Sequence, residues 1–145
     1  MIATVTSRIE FDISYVMEMS GQYKLDSHHC KFEVVVGSDK SSGSLIITFE
    51  DLRNLMKSII RNSSIVVSEH DVESSMLIRR FIMVAGGLMN PIVKIPVSES
   101  LCAEQILKYM TNQLNSLLIS QYPDVFLIET RLRENNESYV TMSMK

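Results

Sequence analysis

The stretch that decides the fold is RIEFDISY at residues 8–15, in which polar and apolar side chains alternate. Successive side chains of a β-strand point to opposite faces, so Ile9, Phe11, Ile13 and Tyr15 share one face. The stretch therefore predicts a long strand that is buried on one face and solvated on the other.

Four further stretches predict extended structure. The alternation FEVVV at residues 32–36 predicts a second strand, and SLII at residues 44–47 predicts an extension of the sheet. The last two strands are predicted at Val125–Leu132 and Ser138–Met144. Between them, the two asparagines of ENNE at residues 134–137 tolerate a positive φ and favour a tight turn.

Two amphipathic helices are predicted between these pairs of strands. Thr48 is predicted to cap the first, and Ser98 to cap the second. The first has apolar residues at three- and four-residue spacing: Phe49, Leu52, Leu55, Met56, Ile59 and Ile60. The second has such a stripe at Cys102, Ile106, Met110, Leu114 and Leu117. Between the helices, Asp71–Ala85 predicts a short helix that ends at Gly86, and Ile92–Ile95 predicts extended chain.

This order of elements predicts an α+β fold: a four-stranded antiparallel sheet (ββ-α-α-ββ) with its helices packed on one face. We expect a single domain over residues 1–145. An open sheet of four strands leaves two edges with unpaired backbone groups, so we also expect a homo-oligomer that closes those edges into a barrel.

Composition excludes several classes of protein. The chain has 145 residues, 46% of them apolar and 21% charged, which is a globular composition. Its net charge of −3 argues against a nucleic-acid partner, and no apolar run approaches the ~20 residues that cross a bilayer. No signal peptide is visible, and Cys30 and Cys102 cannot form a disulfide framework. We therefore expect a cytoplasmic protein without a membrane partner.

Five motifs in order resemble the 6-pyruvoyltetrahydropterin and 6-carboxytetrahydropterin synthase family, which has the tunnelling fold. The resemblance runs from about Ile9 to Thr141. The motifs are FDISY at residues 11–15, HHCKF at 28–32, GSLIITF at 43–49 with Leu52-Arg53, PVSE at 96–99 and IET at 128–130. The resemblance implies a barrel-forming trimer or hexamer and a pterin-like small-molecule substrate, such as 7,8-dihydroneopterin triphosphate.

The resemblance also implies a zinc cofactor, although the ligand positions have changed. Three histidines hold zinc in the family, and their positions here are Tyr15, His28 and Cys30. His28 and Cys30 are two residues apart, so they share a face of their strand, and imidazole and thiolate both bind zinc. Tyrosine is not among the usual zinc ligands. The alternative is that Cys30 is a small buried apolar residue.

The resemblance assigns roles to five further residues. The acid–base pair of the family resembles Glu69-His70, in which His70 would move protons and Glu69 would orient it. Glu129 resembles the carboxylate that anchors the pterin, and Ser98 lies in the substrate-binding PVSE motif. Lys24 stands where the family has its reactive cysteine.

The replacement of the family's cysteine by Lys24, together with the changed zinc positions, determines how much catalytic activity we expect. Lysine is protonated at neutral pH unless it is strongly desolvated, and two of the three zinc histidines are replaced, so the family reaction is expected to be weak or lost. Two alternatives to a pterin enzyme remain open. One is a non-catalytic or repurposed member that acts as a ligand-binding or structural oligomer. The other is an unrelated α+β interaction protein, in which His70 is a loop histidine without a catalytic role.

Overall fold

The computed structural model describes residues 3–38, 47–87, 91–99, 101–135 and 138–144. The predicted α+β class is confirmed. The described elements are, in chain order, β1 (Ala3–Met19), β2 (Gln22–Ser38), α1 (Phe49–Lys57), β3 (Ser64–Ser68), α2 (Glu69–Ser74), α3 (Met76–Gly87), β4 (Ile92–Ile95), α4 (Ala103–Gln121), β5 (Phe126–Glu134) and β6 (Ser138–Ser143). The strand predicted at Ser44–Ile47 lies outside the described residues except for Ile47, as do the last two residues of the predicted Glu134–Glu137 turn.

A long antiparallel hairpin of β1 and β2 forms the centre of the sheet. Each strand has 17 residues, and their pairing runs from Ala3–Ser38 to Met19–Gln22. Ser20 and Gly21 join them with φ values of 53° and 79°. A two-residue hairpin turn of type I′ has a positive φ at both positions, which favours a glycine such as the one at the second.

The sheet has two more strands than the sequence predicts. Among the described residues its order is β4-β3-β1-β2-β5-β6. The predicted strands β1, β2, β5 and β6 do pair antiparallel, with Val36 opposite Leu127 where β2 meets β5. However, β3 pairs parallel to β1, and β4 pairs parallel to β3. The predicted four-stranded antiparallel sheet is therefore corrected to a six-stranded mixed sheet.

Helices α1 and α4 cover one face of this sheet. Their buried residues pack on Ile9, Phe11, Phe32 and Val34 in one apolar core. As predicted, the Thr48 side chain caps α1 by accepting a hydrogen bond from the Asp51 backbone nitrogen at 3.0 Å. The second predicted helix begins later than expected. Its cap is Cys102, whose backbone nitrogen donates to the Gln105 side chain at 3.0 Å, so Ser98 does not cap it.

A second apolar core lies on the opposite face, which corrects the prediction that the helices share one face. Helix α3 buries Ile78 there against Val16, Ile65 and Val67. Since β3 is buried along its whole length, its central residues 65–67 are all apolar instead of alternating with polar ones. The helix predicted at Asp71–Ala85 is interrupted at Ser75, whose extended backbone separates α2 from α3.

The remaining surface of the sheet, over β1, β2 and β5, carries polar side chains and is here called the uncovered face. His29 lies on it between two carboxylates: its Nδ1 is 2.8 Å from Asp12 Oδ1, and its Nε2 is 3.2 Å from Glu10 Oε1. These contacts raise the pKa of His29 and lower the pKa of Glu10. Among the described helices, none is both long and apolar enough to span a membrane.

Candidate functional site

A surface pocket forms where the parallel strands β3 and β4 end. Because the two strands are parallel neighbours, with Ser68 opposite Ile95, the segments that follow them meet at the same edge of the sheet. The His70 backbone nitrogen donates to the Val97 carbonyl oxygen at 3.2 Å and links the two segments. This His70 pocket has a volume of about 370 Å³ and is lined by Glu69, His70, Glu73, Pro96, Val97 and Ser98.

The His70 pocket brings together three residues that the sequence analysis singled out: Glu69, His70 and Ser98. The Ser68 side chain caps α2 by accepting from the Asp71 backbone nitrogen at 3.0 Å, so Glu69 and His70 open the first turn of the helix. The Ser74 hydroxyl lies 3.5 Å from His70 Nδ1. The arrangement provides an imidazole that can move protons and carboxylates that accept hydrogen bonds.

Glu129 lies far from this pocket within one chain. Strands β1 and β2 separate β3 from β5, so three strand spacings, about 14 Å, lie between the strand of Glu129 and the strand that leads to His70. The Glu129 carboxylate is 3.8 Å from the Arg131 guanidinium, which itself stacks on the Tyr139 ring. A ligand that binds Glu129 has to compete with that arginine.

The three predicted metal-ligating residues share the helix-covered face of the sheet, on β1 and β2. The rings of Tyr15 and His28 stack, with centroids 4.5 Å apart and planes inclined by 14°. Cys30 is fully buried in the main core. Burial, followed by the charge of Glu134, raises the pKa of the Cys30 thiol to about 12, so the sulfur is a neutral thiol at physiological pH.

Glu134 completes this group and was missed by the sequence analysis. The Tyr15 hydroxyl donates to its carboxylate, with both oxygens at 3.2 Å, and His28 Nδ1 lies 3.6 Å from Oε2. Asn135 adds a hydrogen bond from its Nδ2 to His28 Nδ1 at 3.2 Å. Burial and the Glu134 carboxylate raise the pKa of Tyr15. We call Tyr15, His28, Glu134 and Asn135 the His28 cluster.

This geometry does not fit a zinc ion as it stands. The Tyr15 hydroxyl is occupied by Glu134, and Cys30 is enclosed in the apolar core. His28 Nε2 is the remaining donor atom, and it has no hydrogen-bond partner among the described residues. A protein zinc site needs three or more ligands, and the three predicted positions leave one unpaired donor atom. Zinc binding itself stays a prediction for metal analysis to test.

Lys24, at the position of the cysteine in the resembling family, lies outside both groups. Its side chain is 65% exposed and pairs with Asp26 at 3.5 Å. Its neighbours include Leu77 and Phe81 of α3, which line an apolar depression of about 230 Å³ on the second core. The structure therefore shows a solvated ion pair at this position.

Comparison with known proteins supports the fold but not a particular family. The sequence matches no protein-family model and no curated protein. Solved structures are similar over almost the whole chain. An uncharacterised protein from Wolinella succinogenes matches with a TM-score of 0.70 and 12% identity, covering 100% of this chain and 99% of that one.

Pterin enzymes are among the similar structures. The 6-pyruvoyltetrahydropterin synthase of Plasmodium vivax matches with a TM-score of 0.63 and 13% identity, covering 99% of both chains. The enzyme of Caenorhabditis elegans matches with a TM-score of 0.61 and 12% identity, covering 99% of this chain and 96% of that one. Identities this low establish the fold alone. The chain is therefore a distant structural relative of the 6-pyruvoyltetrahydropterin synthases and shares their fold.

Proposed function

We propose that this chain is a 6-pyruvoyltetrahydropterin or 6-carboxytetrahydropterin synthase-like protein that binds a pterin-type ligand. The observation that carries the proposal is the His70 pocket, where Glu69, His70 and Ser98 line one surface. Its volume of about 370 Å³ lies within the range of small-molecule sites. The fold shared with pterin enzymes supports the same class of ligand.

Each proposed ligand contact follows from the chemistry of a pterin ring. The 2-amino group and the N3 group offer two adjacent N–H donors, which match the two oxygens of a carboxylate such as Glu129. Ser98 offers a hydroxyl to the side chain of the ligand. His70 is the acid–base group, because imidazole changes its charge near neutral pH, and Glu69 orients it.

A second copy of the chain can bring Glu129 close to the His70 pocket. Among the described strands, β4 and β6 form the open edges of the sheet, and an open edge is a template for pairing with another chain. If β6 pairs with β4 of the next copy, two strand spacings, about 10 Å, separate Glu129's strand from the strand that leads to Ser98. We propose a trimer or hexamer closed in this way, with each site shared between copies.

Lys24 and the His28 cluster indicate that ligand binding is retained better than the reaction of the family. Lys24 is solvated where the resembling family has a thiol, and the His28 cluster does not fit the zinc ion that polarises the substrate there. Both changes affect the chemical step, whereas Glu129 acts on binding. These two observations also favour the second candidate function, a repurposed oligomer that binds a ligand or serves a structural role without catalysis.

Calorimetric titration with 7,8-dihydroneopterin triphosphate and with unsubstituted pterin tests the proposal. We expect micromolar binding to the wild type, and binding at least ~10-fold weaker in Glu129→Gln and His70→Ala, since each variant loses a hydrogen-bonding group. The matched controls are Glu50→Gln, an exposed carboxylate of α1, and His29→Gln, a histidine outside the pocket. Both should bind like the wild type.

Turnover and binding measurements on the wild type also distinguish the two candidate functions. Turnover of the triphosphate is expected to stay well below the ~10 per second of an ordinary enzyme. If the wild type binds neither compound at millimolar concentration, pterin binding is wrong and the structural oligomer remains. Ordinary turnover would instead show that His70 or another residue has replaced the missing thiol.

A further inference from the structure

The His28 cluster, in which all side chains but that of the exposed Asn135 are largely buried, lies where the resembling family places its zinc ligands. The proposed function leaves it without a role. Its three titratable members come from three adjacent strands: Tyr15 from β1, His28 from β2 and Glu134 from β5. All three face the covered side of the sheet. The cluster therefore connects the β1–β2 hairpin to β5.

We infer that the Glu134 carboxylate replaces a metal ion at this position, so that the chain folds and persists without zinc. In a zinc site, the cation draws several neutral or anionic donors towards one point. Here the Glu134 anion occupies that place instead, and the Tyr15 hydroxyl donates to it, while His28 Nδ1 accepts from Asn135. The Tyr15 hydroxyl donates to Glu134 at 3.2 Å, and His28 Nδ1 lies 3.6 Å from the same carboxylate.

The arrangement of the two rings supports this inference independently. The lone pairs of an imidazole lie in the plane of its ring. Tyr15 and His28 stack with their planes inclined by only 14°, which packs the rings against each other and does not direct their donor atoms to a common ion. Cys30, directly opposite Glu134 in the β2–β5 pairing, is fully buried and belongs to the main apolar core.

The position of Glu134 explains why a carboxylate can be held here. The backbone nitrogen of Asn135 donates to the His29 carbonyl oxygen at 3.0 Å, and its Oδ1 accepts from the His29 backbone nitrogen at 3.3 Å. Asn135 thus fixes the end of β5 onto β2. The carboxylate of the preceding residue is held beside the Tyr15–His28 pair, with only 14% of its side chain exposed.

Metal analysis of the full-length protein tests the inference without reference to pterin binding, on which it does not rest. The purified wild type, after dialysis against zinc chloride and then buffer, should contain less than about a tenth of an equivalent of zinc. Its melting temperature should change by less than ~1 °C when EDTA or zinc is added, because a bound metal would stabilise the folded state. About one equivalent of zinc, with a fall in melting temperature on chelation, would overturn the inference.

Glu134→Gln provides the second measurement. This variant keeps the shape of the side chain but removes the charge that the Tyr15 hydroxyl faces, so its melting temperature should fall by about 4 °C or more. Its zinc content should stay as low as that of the wild type. Glu33→Gln, a strand carboxylate on the uncovered face, is the matched control and should melt close to the wild type. If Glu134→Gln melts like this control, the carboxylate does not hold the cluster together and the inference is wrong.

Discussion

The His28 cluster and the His70 pocket contain the same kinds of side chain, a histidine beside a carboxylate, yet they differ in what those groups contact. In the cluster, the polar atoms contact one another. In the pocket, His70 and Glu69 open the first turn of a short helix, and Glu73 and Ser98 are exposed. Groups that are bound to each other contribute to stability, whereas groups that face solvent are available to a ligand. We therefore expect substitutions in the His28 cluster to lower stability, and substitutions in the His70 pocket to weaken ligand binding with little effect on stability.

The largest effect on stability is expected for Tyr15→Phe. The variant keeps the ring that stacks on His28 and removes the hydroxyl that donates to Glu134, leaving a buried carboxylate short of a donor. We expect the free energy of unfolding to fall by about 1.5–3 kcal/mol, measured by equilibrium urea unfolding. Tyr139→Phe, which removes an exposed hydroxyl, is the control and should change it by less than about 0.5 kcal/mol.

A double variant sharpens this prediction. Glu134→Leu added to Tyr15→Phe removes both partners, so no buried charge lacks a donor, and part of the lost stability should return. If the two losses simply add, the hydroxyl and the carboxylate do not act as a pair.

A smaller effect is expected on the uncovered face, where His29 lies between Glu10 and Asp12. Hydrogen bonds to Asp12 and Glu10 raise the pKa of His29 above its ordinary value of 6.5. A raised folded-state pKa contributes stability that is complete below about pH 6.5 and is lost as the pH rises through the folded-state value. Between pH 6 and pH 8, the melting temperature of the wild type should therefore fall more than that of His29→Gln. Because these side chains are exposed, 1 M salt should reduce the difference, and a difference that salt leaves unchanged would contradict an ion-pair origin.

The smallest effect on stability is expected for His70→Ala, the variant that should weaken pterin binding. The link between α2 and the segment after β4 uses the His70 backbone nitrogen, which alanine keeps. The free energy of unfolding should change by less than about 0.5 kcal/mol in urea. A loss above ~1.5 kcal/mol would show that the imidazole supports the fold, and the contrast between the two regions would no longer hold.

The most clearly predicted elements are those with one buried face. The alternation around Ile13 and Phe32 indicates strands because one side meets the core and the other meets solvent. The apolar stripes of α1 and α4 indicate helices for the same reason. Strand β3 lacks such a pattern, since α3 covers it on one face and the main core on the other. Its five residues therefore do not alternate, and both the strand and the second core were missed.

The His70 pocket and the His28 cluster also differ in how far they could be predicted from the sequence. Glu69, His70 and Ser98 of the His70 pocket could be named from the sequence because each stands where the resembling family has a functional residue. Glu134 lies in none of the motifs that carry the resemblance. Its neighbours at residues 135–137 are polar, a pattern that predicts a solvent-exposed turn. Its burial depends on the register between β2 and β5, which sets it opposite Cys30. That pairing joins distant parts of the chain, and no local pattern specifies it.

The β2–β5 pairing also has a consequence for the order in which the chain folds. The β1–β2 hairpin needs only a two-residue turn and can form within microseconds, whereas joining Val36 to Leu127 requires most of the chain to be in place. Until then, one long edge of β2 is unpaired and carries apolar side chains. Such an edge is a template for other chains, so we expect refolding yield to fall steeply as protein concentration rises. Strand β5, which contains Glu134, therefore also protects the edge of β2 from pairing with other chains.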